Sequence, residues 1–196
     1  MNYLAHVYLA RYHPDAMLGA LLGDFSRPGD EAHYNDIVRR EILMHRRVDA
    51  FTDRHPLVLE AKGLFRQETR RFAGIALDVF FDHQLAKHWR RYSEVPLTSF
   101  AREFYASLSE RRGNLPARLE SAITPMIQYD WLSSYADFDV VEPVLKRIGM
   151  RLSRSGEILQ ASSHDLELHY GALEATFSDF FPELTAFVDS TRAQTD

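Results

Sequence analysis

The sequence predicts an all-α protein. Apolar residues recur at three- to four-residue spacing along most of the chain, no alternating run of useful length reads as a strand, and prolines recur where helices would begin. With 196 residues, 45% of them hydrophobic, one domain over 1–196 can bury a real core. The expected architecture is a single-domain helical bundle.

The elements follow in order. Residues 2–12 and 14–23 read as two short apolar helices, broken at Pro14 and ending near Gly23. The stretch 26–35 is a loop with Pro28-Gly29 as its turn signal. A long helix over 35–53 carries Ile37, Met44, Val48 and Phe51 on one stripe. Pro56 suits the first turn of a helix 56–70, and Gly74 precedes a helix 75–91. Pro96 and Pro116 start helices 96–112 and 116–128, and "DWLSSYADFD" is a partly helical link. Segments 139–151, 155–161, 163–180 and 182–192 complete the chain, with Pro182 read as a helix start. The Phe-rich "TFSDFFPELTAF" either closes the core or forms a dimer face.

Composition narrows the chemistry. There is no cysteine, which excludes disulfides and thiolate metal sites. Nine His and 28 Asp plus Glu leave ample ligands for a divalent ion. No apolar run reaches the length of a membrane span, so a cytoplasmic protein without membrane insertion is the expectation. The net charge of −5 does not suggest nucleic acid as a partner. The charge is uneven: residues 39–91 hold 12 basic and 7 acidic residues, against 11 and 21 elsewhere. A basic middle can meet a phosphate or an acidic partner, or it can be simply solvated helix surface. No GxSxG elbow, P-loop, dinucleotide glycine fingerprint or HExxH is present.

Acidic and His side chains recur at helical spacing on separate segments. His45, Asp49 and Asp53 stand four apart on one face beside the apolar line through Met44 and Val48. Asp78 and Asp82 are four apart in "DVFFDHQLAKHW", with His83 about a third of a turn round. His6 sits mid-helix, and Asp24 follows "LLG" at a helix end. A lone carboxylate among apolar residues is costly to bury unless it is paired or binds a metal. Helices of a bundle can supply converging carboxylates and imidazoles to one divalent ion. Each residue also has a plainer reading: His6 as a hydrogen-bonded core residue, Asp24 as a cap, Asp49 as a partner of Arg46 or Arg47.

Taken together, "MNYLAHVYLA", "LLGDF", "MHRRVDAFTDRHP", "ETRR", "DVFFDHQLAKHW" and "DLELHYGALE" resemble the acyl carrier protein phosphodiesterases of bacteria, from Met1 to about Phe180. The resemblance implies hydrolysis of the phosphodiester joining 4′-phosphopantetheine to a serine of acyl carrier protein, giving the apo carrier and 4′-phosphopantetheine. It also implies an HD-type metal phosphohydrolase of atypical form, with manganese favoured and magnesium, iron or cobalt as alternatives. Carried over residue by residue, it makes Asp24, His45, Asp82 and His83 metal ligands. The paired ligands here run Asp-His, where the superfamily runs His-Asp. His6 is a further ligand or a phosphate contact, Asp49 orients or deprotonates water, and Arg46 and Arg47 face phosphoryl charge. Such carriers are small and acidic, so Arg70, Arg71, Arg90 and Arg91, with Arg66 and Lys87, form the expected docking surface. The rival readings are an HD-type enzyme acting on a nucleotide or other small diester, and a helical module that binds carriers without cleaving them. The sequence is silent on oligomeric state.

Overall fold

The computed structural model describes residues 1–152 and 156–194. The all-α prediction holds: among the described residues there are eleven α-helices, a few 3-10 turns and no strand. No helix among them is long and apolar enough to cross a membrane. The chain divides into two compact units. One takes Met1–Asn2, Asp49–Gln84 and Asp137–Asp196; the other takes Tyr3–Val48 and Leu85–Ala136.

The second of these units is built on a helical hairpin, α1 (Tyr3–Leu9) and α2 (Pro14–Leu22). Pro14 occupies the first turn of α2, and the His13 ring caps it by accepting from the Asp15 backbone N–H at 3.0 Å. Every residue of α2 from Ala16 onward is buried. The helix α3 (Asp36–Arg54) starts where the Asn35 side chain accepts from the Val38 N–H at 3.0 Å. It passes very close to α2. A Cβ at Gly19 would stand 2.5 Å from the Val38 carbonyl oxygen, so only glycine allows this approach. The unit is completed by α6 (Leu97–Glu110), α7 (Ala117–Gln128) and α8 (Trp131–Ser134), with Phe104, Leu108, Ile123, Met126 and Leu132 buried among them.

The other unit holds α4 (Pro56–Gly63), most of α5 (Ala73–Lys87), α9 (Val141–Gly149), α10 (Gly156–Leu168) and α11 (Tyr170–Ala193). The helix α5 is apolar nearly all round and buried accordingly: Leu77, Val79, Phe80 and Phe81 are at most 1% exposed. Phe81 packs on Phe177 and Phe180, and Phe51 stacks on Phe187 at 4.4 Å. Of the two readings of the Phe-rich segment, the core is therefore the one observed: Phe177, Phe180, Phe181 and Leu184 are buried. The helices α9 and α10 meet at Gly149 and Gly156, where a Cβ on either would come within 2.8 Å of the other's backbone.

Several helix boundaries depart from expectation, among them the ends of α1 at Leu9 rather than 12 and of α5 at Lys87 rather than 91. Pro182 does not start a helix; α11 runs through it, because the stripe Phe177, Phe181, Leu184 and Val188 is buried on both sides of the proline. That burial outweighs a missing N–H bond costing about 3 kcal/mol. The break before α11 falls at His169 rather than near 162. The expected helix 56–70 stops at Gly63, and a turn follows that is clamped by side chains. Arg70 donates to the carbonyls of Gly63 and Phe65, while Arg66 and Thr69 both reach Asp165 at 2.7 Å. The expected start at 155 lies outside the described residues.

Candidate metal centre

His6 on α1 and His45 on α3 are both buried, at 2% and 4% exposure, and their rings stack at 3.7 Å with 16° between planes. His45 is oriented by α2. Its Nδ1 lies 2.8 Å from the Ala20 carbonyl oxygen, which can only accept, so Nδ1 donates that bond. Nε2 is turned toward Asp24, whose Oδ1 is 3.8 Å away. This is how metal-binding imidazoles are commonly held, with one nitrogen anchored to a carbonyl and the other left to coordinate. The ring fits only because residue 23 is glycine: a Cβ there would stand 2.1 Å from His45 Cγ.

Asp49 is one turn beyond His45 on α3, and its side chain is 44% exposed. His6, His45 and Asp49 each offer a ligand atom, all within 4.8 Å of one another. Two donors on one ion at about 2.0–2.2 Å stand roughly 3 to 4 Å apart. The His45–Asp24 separation satisfies that now, and the triad needs a closure of less than about 1 Å. Imidazole with carboxylate, and no thiolate, suits a first-row divalent ion.

Asp49 also meets a charge cluster. The Met1 ammonium, fully buried, lies 2.9 Å from Asp78 and 3.5 Å from Asp49. Burial alone would lower its pKa, but Asp78, Asp49 and more weakly Asp82 outweigh that and push it up to about 10. Asp78 is itself raised by burial, against the pull of the ammonium. Asp82 is completely buried on α5. The sequence marks Asp78 by its four-residue spacing from Asp82, but not its partner, the Met1 ammonium.

His83, at 2% exposure, lies among the rings of Phe80, Phe138 and Tyr170, with its Nε2 2.7 Å from the Tyr170 hydroxyl. Arg46 makes a two-pronged pair with Glu31, both bonds 3.2 Å, and these bonds pull the Glu31 carboxyl down to about 2. Asp53 pairs with Lys62 at 2.8 Å, a structural role. Of the expected docking arginines, Arg47, Arg90 and Arg91 are exposed in one unit, and Arg70 and Arg71 in the other. Arg70 is committed to its turn and Arg71 lies over the Phe72 ring at 4.8 Å. Arg66 is bound to Asp165. A separate cavity of about 850 Å³ runs along α9 and α10; it is lined by Asp139, Glu142, Glu157 and Glu167 among others and includes none of the candidate ligands.

The sequence profile described as acyl carrier protein phosphodiesterase matches residues 1–184. Curated acyl carrier protein phosphodiesterases of Salmonella agona, Salmonella dublin and Salmonella newport are each 39% identical over 187 residues, covering 95% of this chain and 96% of the relative. No solved structure matches. An extended match of this kind, over both units and all the quoted motifs, makes the chain a member of the acyl carrier protein phosphodiesterase family, and so an enzyme.

Proposed function

We propose that the chain hydrolyses the phosphodiester between 4′-phosphopantetheine and the serine of acyl carrier protein, releasing the apo carrier and 4′-phosphopantetheine, with a divalent ion, Mn2+ foremost. The observation that carries this reading is the anchored His45, with Nδ1 fixed on Ala20 and Nε2 turned to Asp24, beside His6 and Asp49. Asp24 and His45, with Asp82 and His83 from α5, are the proposed ligands, and His6 is a ligand or a phosphate contact. A bound ion would supply charge stabilisation at the phosphoryl oxygens and a water of lowered pKa.

The remaining chemistry belongs to side chains. Asp49 takes a proton from the attacking water, whose oxygen bonds to phosphorus as the phosphorus–serine oxygen bond breaks. The serine oxygen takes its proton from solvent water as it leaves, and Asp49 gives its own up to solvent. Arg46 and Arg47 offset phosphoryl charge, which requires Arg46 to share its fork with Glu31. The exposed Arg47, Arg70, Arg71, Arg90 and Arg91 favour encounter with an acidic carrier.

The test is a holo-to-apo conversion assay on purified acyl carrier protein, with chelated enzyme, Mn2+ add-back and Asp82→Ala. Cleavage restored by Mn2+ and abolished in the folded variant supports reaction and site together. Equal cleavage by chelated enzyme refutes the metal mechanism. Cleavage of cyclic nucleotides in place of the carrier would move the substrate to a small diester.

A further inference from the structure

We infer that the free α-amino group of Met1 is a positioning group for Asp49, holding that carboxylate in the attitude in which it takes a proton from water, so that an acyl group on this nitrogen slows cleavage. This rests on the proposed reading of Asp49 as the group that activates water. The first residues of a domain are ordinarily among its loosest parts. Here Met1 is only 6% exposed, and its nitrogen, fully buried, donates to Asp78 Oδ1 at 2.9 Å and to Asp49 Oδ1 at 3.5 Å. The two carboxylates come from different helices, Asp49 from α3 and Asp78 from α5. Their side chains are 44% and 36% exposed. The cation therefore lies on the inner side of the cluster, and the carboxylates keep a side to solvent.

A buried ammonium is tolerated only with charged or hydrogen-bonding partners, and the dependence is mutual. Asp82, one turn beyond Asp78 on α5, adds to the negative field at the nitrogen. An ammonium brings three N–H donors and a full charge. A formamide has one donor, no charge and an added carbonyl oxygen. Formylation of Met1 would leave Asp49 and Asp78 as like charges around a neutral group, with an acceptor placed where both need a donor. Asp49 would then turn away from the nitrogen that sets its angle. A reacting group misplaced by about 1 Å can lose roughly 100-fold in rate, so one contact suffices to carry the effect.

The test compares the chain bearing a free Met1 amine with the same chain bearing N-formyl-Met1, each checked by mass and melting temperature. Both forms are made in the parent and in Asp49→Asn, and kcat and KM are measured for the holo carrier with Mn2+. The expected result is a kcat lower by at least about 10-fold in the formylated parent, with KM little changed. Formylating Asp49→Asn should cause no further loss of kcat. Should the formylated parent be too unstable to assay, both comparisons are read in Asp78→Asn, where a neutral amide replaces the carboxylate left without its cation. Unchanged kcat on formylation, with Asp49→Asn impaired, would overturn this inference alone. Equal fold-loss with and without the Asp49 carboxylate would make the amine a general structural tie and overturn it as well. Parent kcat in Asp49→Asn would overturn the reading of Asp49 beneath it, and no carrier cleavage by the free-amine chain would overturn the proposed function; the inference falls with either.

Discussion

Gly23→Ala would probe the candidate metal centre without touching a donor atom. The backbone at Gly23 is ordinary right-handed helix, φ −51° and ψ −38°, so alanine meets no conformational barrier. Helix propensity alone would favour it by roughly 0.5–1 kcal/mol. The obstacle is the His45 ring: the new methyl would lie 2.1 Å from Cγ and 2.5 Å from Cδ2 and Nδ1, against ordinary contact at 3.4 Å or more. The ring must retreat by about 1.3 Å. It cannot do that and keep a 2.8 Å bond to Ala20. Leaving that buried N–H unsatisfied costs about 1–3 kcal/mol. The two effects oppose each other, so the net stability loss is roughly 0–2.5 kcal/mol. The displacement, however, is several times the tolerance of about 0.2 Å on a metal–ligand distance. The expected signature is a folded protein with Mn2+ affinity and holo-carrier cleavage down by at least about 10-fold. The decisive arm is the same change in a His45→Ala background, followed by urea denaturation. With the ring gone, Gly23→Ala should become stabilising by about 0.5–1 kcal/mol. If it costs the same with and without His45, the ring does not lie against Gly23 and the reasoning fails.

Other predictions concern the ion pairs and the docking arginines. Arg46 holds Glu31 at about 2, below its ordinary 4.5, so the pair's stabilisation is complete above about 4.5 and is lost as pH falls toward 2. Arg46→Gln should narrow the difference in melting temperature between pH 5 and pH 3; an unchanged difference would show that Arg46 is not the cause. Asp165 is wholly buried and accepts from Arg66 and Thr69, each at 2.7 Å. Asp165→Asn should cost about 2 kcal/mol in urea, less than a fully buried pair because Arg66 is 47% exposed; a loss under about 0.5 kcal/mol would refute that role. Arg70→Glu with Arg71→Glu should raise KM for the carrier more than it lowers kcat, and parent activity should fall with salt. Equal loss on a small soluble diester would sink the docking idea. Because Arg70 also clamps its turn, Arg71→Glu alone is the control that should retain the parent melting temperature.

The all-α class was legible because helical periodicity is a local property, and so were starts such as Pro14 and Pro56, where the proline sits in the first helical turn. What the sequence hid depends on distant partners. The end of α4 at Gly63 follows from a turn whose anchor, Asp165, lies 99 residues beyond Arg66. The passage of α11 through Pro182 follows from aromatic burial on both sides of it. In the site, the four-residue step from His45 to Asp49 could be read directly, since a single helix fixes it. The stacking of His6 on His45 could not, nor could the Met1 ammonium between Asp49 and Asp78, nor the Tyr170 hydroxyl on His83.

Glycine is the link between what was legible and what was not. In "GALLGDF" two glycines stand four apart, and each admits a part of α3: Gly19 the backbone at Val38, Gly23 the imidazole of His45. Between them, Ala20 supplies the carbonyl to which His45 Nδ1 donates. The helix α2 and its cap Gly23 thus set the depth and rotation of the donor beside them, while the α2 side chains from Ala16 onward are buried. Substitutions in α2 and at its cap should therefore sort by position. Those at Gly19 and Gly23 should act on metal affinity, whereas volume-conserving changes at Leu18 or Leu21 should act on stability and leave affinity unchanged. Weaker Mn2+ binding from Leu21→Met, with stability intact, would contradict a site governed by these close approaches.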